Sequence, residues 1–340
     1  MSLQSVRPVP LANDLLETLE YTVGQATNAR AFAQAAISEG VRRVILLGCG
    51  GSHYSTFPAQ HLLETSSASL QSSRMTSAEF VHRDLPGVGV DTLVVASSHS
   101  GGTPETLAAV EKARSLGART VGIARTGQSP LHAVVDLSLD YPSDVTVTEP
   151  KAIHFALMAA SLIEAAGEAD IRWFDGFAAL PKAVVSAKAA FEDQGRLIGQ
   201  RWRTAQSVYT VAAGPNLGAA NALAECYMQE MAWLHASAVH AGDFFHGPFE
   251  VVGERPVLIL VGEDSTRVLA ERAVNFATKY YPDVDVLDSR NFALPGIADE
   301  IRGFISPFVL ASLSRRLLDF VAAERGHNTA VRRYMHQVGY

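Results

Sequence analysis

The sequence predicts an α/β protein built as two tandem domains, each a doubly wound parallel sheet of the flavodoxin-like, three-layer α/β/α kind. Three observations predict it. Short, largely apolar runs at residues 44–47, 92–96, 120–124, 208–212 and 257–261 read as strands covered on both faces. Helical patterns alternate with these runs, which is the order of βαβ units. The strand-and-turn pattern of residues 44–52 recurs at 208–216, a repeat distance of domain size rather than of a solenoid. A chain of 340 residues with 48% hydrophobic and 19% charged residues can fill two cores of about 150 residues each.

In chain order, residues 13–39 read as one helix, with Asn13 as N-cap, Glu17 and Glu20 in its first turns and Gly40 as its stop. The strand at 44–47 runs into Gly48-Cys49-Gly50-Gly51-Ser52 and then a helix over 57–64. Strand, glycine-rich turn and helix is the arrangement that faces backbone N–H groups and a helix N-terminus towards an anion. The strand at 92–96 repeats the device with Ser97-Ser98-His99-Ser100-Gly101-Gly102-Thr103-Pro104 and a helix reaching 113–116. Two hydroxyl-rich turns at the ends of parallel strands converge at the mouth of a sheet, and they suit a phosphate met by dipoles more than by cations. A strand at 120–124, a short helix near Pro130, a strand at 137–141 and a helix opening at Glu149-Pro150-Lys151 complete this half. Lys151 either approaches the ligand or faces solvent.

Alanine-rich helix broken at Gly167, Gly176 and Pro181 reads as the domain connection. The strand at 208–212 ends in the turn Gly214-Pro215-Asn216, and residues 221–250 follow as a helix and then a loop. On that helix Leu223, Tyr227, Glu230 and Leu234 recur at helical steps, which places Glu230 on an apolar face. Burial there disfavours the charged form of a carboxylate and makes a base useful near neutral pH. In the loop, His246 is held between a phenylalanine pair and a Gly-Pro turn, with His240 nearby. The strand at 257–261 ends in Gly262-Glu263-Asp264-Ser265, whose acids take the place of the serines in the first half and repel a phosphate. The predicted division is therefore an N-terminal helical segment (1–40), a domain with the anion-binding turns (41–165), a helical connection (166–195), a second α/β domain carrying Glu230 and His246 (196–325) and a tail (326–340).

The net charge of −7, with cations only in scattered pairs such as Arg315-Arg316, argues against a nucleic-acid surface. Two cysteines, Cys49 and Cys226, leave no disulfide framework or four-ligand zinc site to propose and fit a reducing cytoplasm. No apolar run approaches the roughly 18 residues needed to span a bilayer.

The motif Ser98-His99-Ser100-Gly101-Gly102-Thr103 after an apolar strand resembles the S-x-S-G-x-T phosphosugar loop of sugar isomerase (SIS) domains, with His99 where glutamine is common. Glu230 and the His246-Gly247-Pro248 turn resemble the second SIS domain of the isomerase half of glutamine–fructose-6-phosphate aminotransferase, and more closely the fructosamine-6-phosphate deglycases. The run Arg332-Arg333-Tyr334-Met335 also looks like the deglycase tail. The resemblance implies Glu230 and His246 as catalytic residues. It implies Gly51, Ser52, Ser98, His99, Ser100, Thr103, Lys151 and His240 as substrate-binding residues, with no metal and no cofactor. The implied partner is a phosphorylated sugar or ketosamine, not nucleic acid or membrane. A homodimer or higher homo-oligomer with shared sites is implied too, and the apolar Phe244, Phe245 and Phe249 point the same way.

The implied activity is cleavage of fructosamine 6-phosphates to glucose 6-phosphate and free amine. Two alternatives remain. An aldose–ketose phosphosugar isomerase, including the glucosamine-6-phosphate-forming type, would use the same enolisation; against the aminotransferase type, Tyr227 stands where that family has a lysine and no lysine follows Lys279. A non-catalytic sugar-phosphate sensor would be expected to carry a helix-turn-helix, whereas residues 1–40 read as one helix.

Overall fold

The computed structural model describes residues 8–170, 172–253, 255–281, 284–335 and 337–339. The chain divides into two compact units: Ala12–Ala183 with Pro295–Phe308, and Val184–Leu294 with Val309–Tyr340 and the segment ending at Leu11.

The first unit holds a sheet of β1 (Arg43–Gly48), β2 (Gln71–Thr76), β3 (Thr92–Ser97), β4 (Arg119–Arg125) and β5 (Leu137–Tyr141), in the order β2-β1-β3-β4-β5 with every pairing parallel. The second holds β6 (Ser207–Ala212), β7 (His235–His240), β8 (Val257–Val261) and β9 (Val284–Asp288), ordered β7-β6-β8-β9 and again all parallel. These are the doubly wound parallel sheets that the sequence predicts. In both, the strand order reverses between two neighbours, β1 and β3 or β6 and β8, and a doubly wound sheet binds its ligand at the carboxyl ends of such a pair. All six residues of β3 and all five of β8 are buried, as strands covered by helices on both faces must be.

The first unit carries α1 (Leu15–Gly24), α2 (Ala26–Ser38), α3 (Gly51–Tyr54), α4 (Phe57–Ser66), α5 (Ser77–His82), α6 (Pro104–Ser115) and α7 (Thr148–Ala165). After α8 (Arg172–Trp202), the second carries α9 (Leu217–Asn221), a π-helix over Ala222–Met231 and α10 (Arg267–Tyr280), before α11 (Arg302–Arg325). No helix among the described residues is long and apolar enough to cross a membrane.

Four expectations are corrected. The single helix over 13–39 is two, broken at Gln25, whose amide donates to the backbone oxygen of Asp140 at 2.6 Å and to its carboxylate at 2.8 Å. Asn13 is not the cap: Asp14 precedes Leu15, and its carboxylate accepts from Ser143 and Thr146 at 2.6 and 3.0 Å rather than from the helix. The helix through 172–202 is unbroken at Gly176 and Pro181, and at Gly176 the missing side chain makes room, since a Cβ would lie 2.8 Å from the Ile301 methyl.

The segment 221–250 is a π-helix, then strand β7, then a turn, not a helix and a loop. Its phenylalanines are packed within the chain. Phe244, Phe245 and Phe249 lie 6.1, 5.5 and 5.5 Å from the Phe276 ring of α10, joined to the core of the second unit. The apolarity of this turn is therefore accounted for without a second copy.

Candidate functional site

At the β1/β3 reversal the two glycine- and serine-rich turns stand side by side. Gly48 ends β1 where a Cβ would meet the Ser52 backbone at 2.6 Å, so only glycine lets the chain turn this tightly into α3. Ser52 is buried, and Lys151, also buried in the first turn of α7, donates from Nζ to its Oγ at 3.3 Å. Of the two placements the sequence leaves open for Lys151, solvent is excluded.

The turn after β3 is held by its own hydroxyls. Ser98 and Thr103 share a 2.8 Å Oγ–Oγ1 hydrogen bond, and the Gly102 amide donates to Ser100 Oγ at 3.1 Å. Gly101, at φ +70°, packs onto Ser129 so closely that a Cβ would lie 1.9 Å from that hydroxyl. Thr103 caps the start of α6 without a side-chain bond to the helix, and its hydroxyl points back to Ser98. Ser98 is thus a buried brace, while Ser100 is exposed.

His99 is set by a residue that composition did not single out. Its Nδ1 lies 3.0 Å from the Tyr141 hydroxyl, with the rings stacked at 5.9 Å. Burial, then the Lys151 and Arg125 cations, hold His99 below the usual histidine range, against the pull of Asp144. Burial pushes the Tyr141 phenol upwards, the Arg125 cation opposing. A neutral imidazole and a neutral phenol form the pair at physiological pH, which suits hydrogen bonding to sugar hydroxyls rather than charge pairing.

The β6/β8 reversal of the second unit is closed by its own side chains. Asn216 donates to the Asp264 carboxylate at 2.9 Å, the Thr266 amide donates to the same group at 2.9 Å, and the Ser289 hydroxyl donates to Glu263 at 2.9 Å. The acids expected to repel a phosphate here also brace this turn.

Glu230 lies near the end of the π-helix. Because π-helical hydrogen bonds reach five residues back rather than four, the i, i+4, i+7 stripe assumed for an α-helix does not stay on one face. Leu223 and Tyr227 are buried, whereas Glu230 is 28% exposed and ion-paired with Arg332 of the tail at 2.9 Å. The expected apolar burial of this carboxylate is not found. It lines a cavity of about 430 Å³ with Gln229, Trp233, Arg332, Arg333 and Tyr334 among its walls. Arg332 and Trp233 were missed by sequence reasoning: the first carries only a tail resemblance, and the second gives no sign of the left-handed backbone, φ +52°, that it adopts.

The histidines fall elsewhere. His240 ends β7 and its Nδ1 accepts from the Gly242 amide at 3.1 Å. His246 is exposed on the turn, its ring without a hydrogen-bond partner among the described residues, and the residues lining the Glu230 cavity do not include it. The expectation of a firmly held imidazole is corrected: the Gly-Pro turn fixes the backbone but gives the ring nothing to bind.

Three similarities bear on this geometry. Residues 39–163 match the SIS domain family model. The chain is 32% identical to the fructosamine deglycase FrlB of Bacillus subtilis (strain 168), over 92% of this chain and 96% of that one, and 26% identical to the fructoselysine 6-phosphate deglycase of Escherichia coli (strain K12), over 89% and 88%. A solved structure from Bacillus subtilis, provisionally named a phosphosugar isomerase, superposes with TM-score 0.87 at 31% identity, covering 93% of this chain and all of that one. With two parallel sheets and a relative this similar over its full length, the chain belongs to the SIS-domain family, among its enzymes of the fructosamine-deglycase and phosphosugar-isomerase type.

Proposed function

We propose that the chain cleaves fructosamine 6-phosphates, giving glucose 6-phosphate and a free amine. The observation that carries this reading is Glu230: a carboxylate partly open to a cavity large enough for a sugar phosphate, in a chain similar to two deglycases. The substrate carries an amine at C1 and a carbonyl at C2. Glu230 takes a proton from C1 while the C2 oxygen gains one, which leaves a 1,2-enaminol. Protonation at C2 then gives the C1 imine, and water adds to C1 and expels the amine. The C2 carbonyl of the substrate takes up the electrons of the C1–H bond, the nitrogen lone pair then drives protonation at C2, and each proton transfer contributes roughly 10²–10⁴-fold.

The phosphate is held, in this reading, by the turns after β1 and β3, with Gly51, Ser52, Ser100 and Thr103 as its contacts, Ser98 as their brace and Lys151 as a point charge. His99 binds sugar hydroxyls, and His240 is a further contact of the substrate. His246 opens the ring or protonates the oxygen and C2. Since its ring is exposed and without a hydrogen-bond partner among the described residues, we place it in the site of a second copy, so that the working unit is a homodimer.

Incubation with fructoselysine 6-phosphate and, separately, with fructose 6-phosphate tests the reading. Release of glucose 6-phosphate and amine from the first is expected. Conversion of fructose 6-phosphate alone would favour the isomerase, and binding of either without turnover would favour a sensor. For the dimer, Glu230→Gln and His246→Asn proteins, each inactive, are mixed under conditions of verified subunit exchange; partial recovery is expected, and none would remove the shared site.

A further inference from the structure

The tail residue Arg332 makes a contact with Glu230 whose geometry is selective. Its Nε and Nη2 lie 3.1 and 2.9 Å from the same carboxylate oxygen, Oε1, and among the described residues no hydrogen bond reaches Oε2. An arginine that only neutralised a carboxylate would be expected in the two-oxygen fork, one nitrogen to each oxygen. Here one oxygen is taken twice and the other is left.

The guanidinium is fixed from its own side as well. Its Nη1 donates to the backbone oxygens of Thr329 and Val331 at 2.5 and 3.1 Å, and the side chain is only 19% exposed. The tail that carries it is clamped on the Trp233 indole, with the His327 ring at 4.6 Å and the Arg333 guanidinium at 4.0 Å. Trp233 is the one non-glycine residue with positive φ among those described, a conformation that is strained for a bulky side chain and persists only where the surroundings enforce it. It follows Glu230 by three residues, so the strained turn and the clamped tail meet beside the carboxylate.

Resting on the reading of Glu230 as the carbon base, we propose that Arg332 is its positioning residue: it pins Oε1 and thereby aims Oε2 at the proton to be removed. Arg332 touches the base and not the reacting atoms. Its function is to remove the rotational freedom of a carboxylate that is partly open to solvent, so that the reactive oxygen is already in place when the sugar arrives.

The test uses the full chain with fructoselysine 6-phosphate as probe and fructose 6-phosphate in deuterium oxide as a second readout. In Arg332→Gln, kcat and exchange at C1 should fall by roughly 10²-fold while KM stays within about twofold, because orientation and not binding is lost. Arg332→Lys should recover part of kcat, and added guanidinium should recover part of the activity of Arg332→Ala. In the Glu230→Gln background, Arg332→Gln should have no further effect. A rise in KM at native kcat, or native kcat in Arg332→Gln with Glu230→Gln inactive, would overturn the positioning assignment and leave the base standing. Native turnover by Glu230→Gln would remove the base itself. Should Arg332→Gln not fold, Arg332→Lys and guanidinium rescue decide: failure of both to raise activity above that of Arg332→Ala refutes the proposal.

Discussion

The ammonium of Lys151 lies 3.3 Å from the Ser52 hydroxyl, both side chains buried, at the turn that follows β1. A buried cation beside a glycine-rich turn gives an incoming phosphate a charge in addition to dipoles. Lys151→Met should raise KM for the phosphosugar by an amount corresponding to about 1.5–3 kcal/mol, the usual worth of a hydrogen bond to a charged group. Inorganic phosphate should raise the melting temperature of the native protein and not of the variant; equal stabilisation of both would place the anion elsewhere.

Ser100→Ala and Thr103→Ala should differ. Ser100 is exposed and, among the described residues, bonds only within the turn, so its loss should raise KM by an amount corresponding to about 1–2 kcal/mol without affecting stability. Thr103→Ala also removes the partner of the buried Ser98, and it should lower the melting temperature as well as raise KM. Thermal scans beside steady-state kinetics separate the two, and identical behaviour would deny Ser98 its bracing role.

Glu230→Gln keeps the shape of the side chain and removes its basicity. Several decades of kcat should disappear with KM nearly unchanged, and exchange of solvent deuterium into C1 of a bound ketose phosphate should stop. Near-native turnover, with the substitution verified by mass, would transfer the role to another carboxylate, Glu225 being next on the π-helix.

His154 predicts a pH dependence of stability. It is fully buried in α7, its Nε2 donates to the Asp140 backbone oxygen at 2.9 Å, and its Nδ1 has no hydrogen-bond partner among the described residues. A proton on Nδ1 would face no acceptor, and burial pushes the imidazole from the usual 6.5 down to about 4. The unfolded chain therefore takes up a proton between pH 6.5 and 4 that the folded chain refuses. Stability should fall with pH through that window, by about 3 kcal/mol in all, and level off below it. His154→Gln should flatten this part of the curve in urea titrations at stepped pH; an unchanged slope would exclude His154 as its source.

Gly101→Ala should lower the melting temperature. At φ +70° an alanine is strained, and its Cβ would overlap the Ser129 hydroxyl. A loss of about 1–3 kcal/mol is expected, and Ser129→Gly should recover the part due to the clash.

What could be read from the sequence follows from how strands are covered. β1, β3, β4, β6 and β8 lie inside their sheets and are apolar runs, so they declared themselves. Three edge strands did not. In β2, Gln-Ser-Ser-Arg-Met-Thr, only Met75 is buried; β7 buries Ala236 alone; β9 alternates between half-buried and buried. The turns after β1 and β3 were legible because glycine and serine at a strand end have few other uses. The environment of Glu230 was not, because its partner Arg332 is 102 residues away and the helix that carries it does not follow the period assumed for it.

That helix has one further consequence. Ten residues in π register, Ala222–Met231, contain more chain than the same length of α-helix needs, and the surplus is held in place by β7 and the strained Trp233 that follow. Deleting a single residue, Ala224 for instance, would let the stretch rewind to the commoner register without removing any group discussed above. Glu230 would then swing to another azimuth and part from Arg332. Two relatives that share every functional side chain but differ by one position of length in this helix would present their carboxylate in different directions, so that here a gap in an alignment carries more chemical meaning than a substitution.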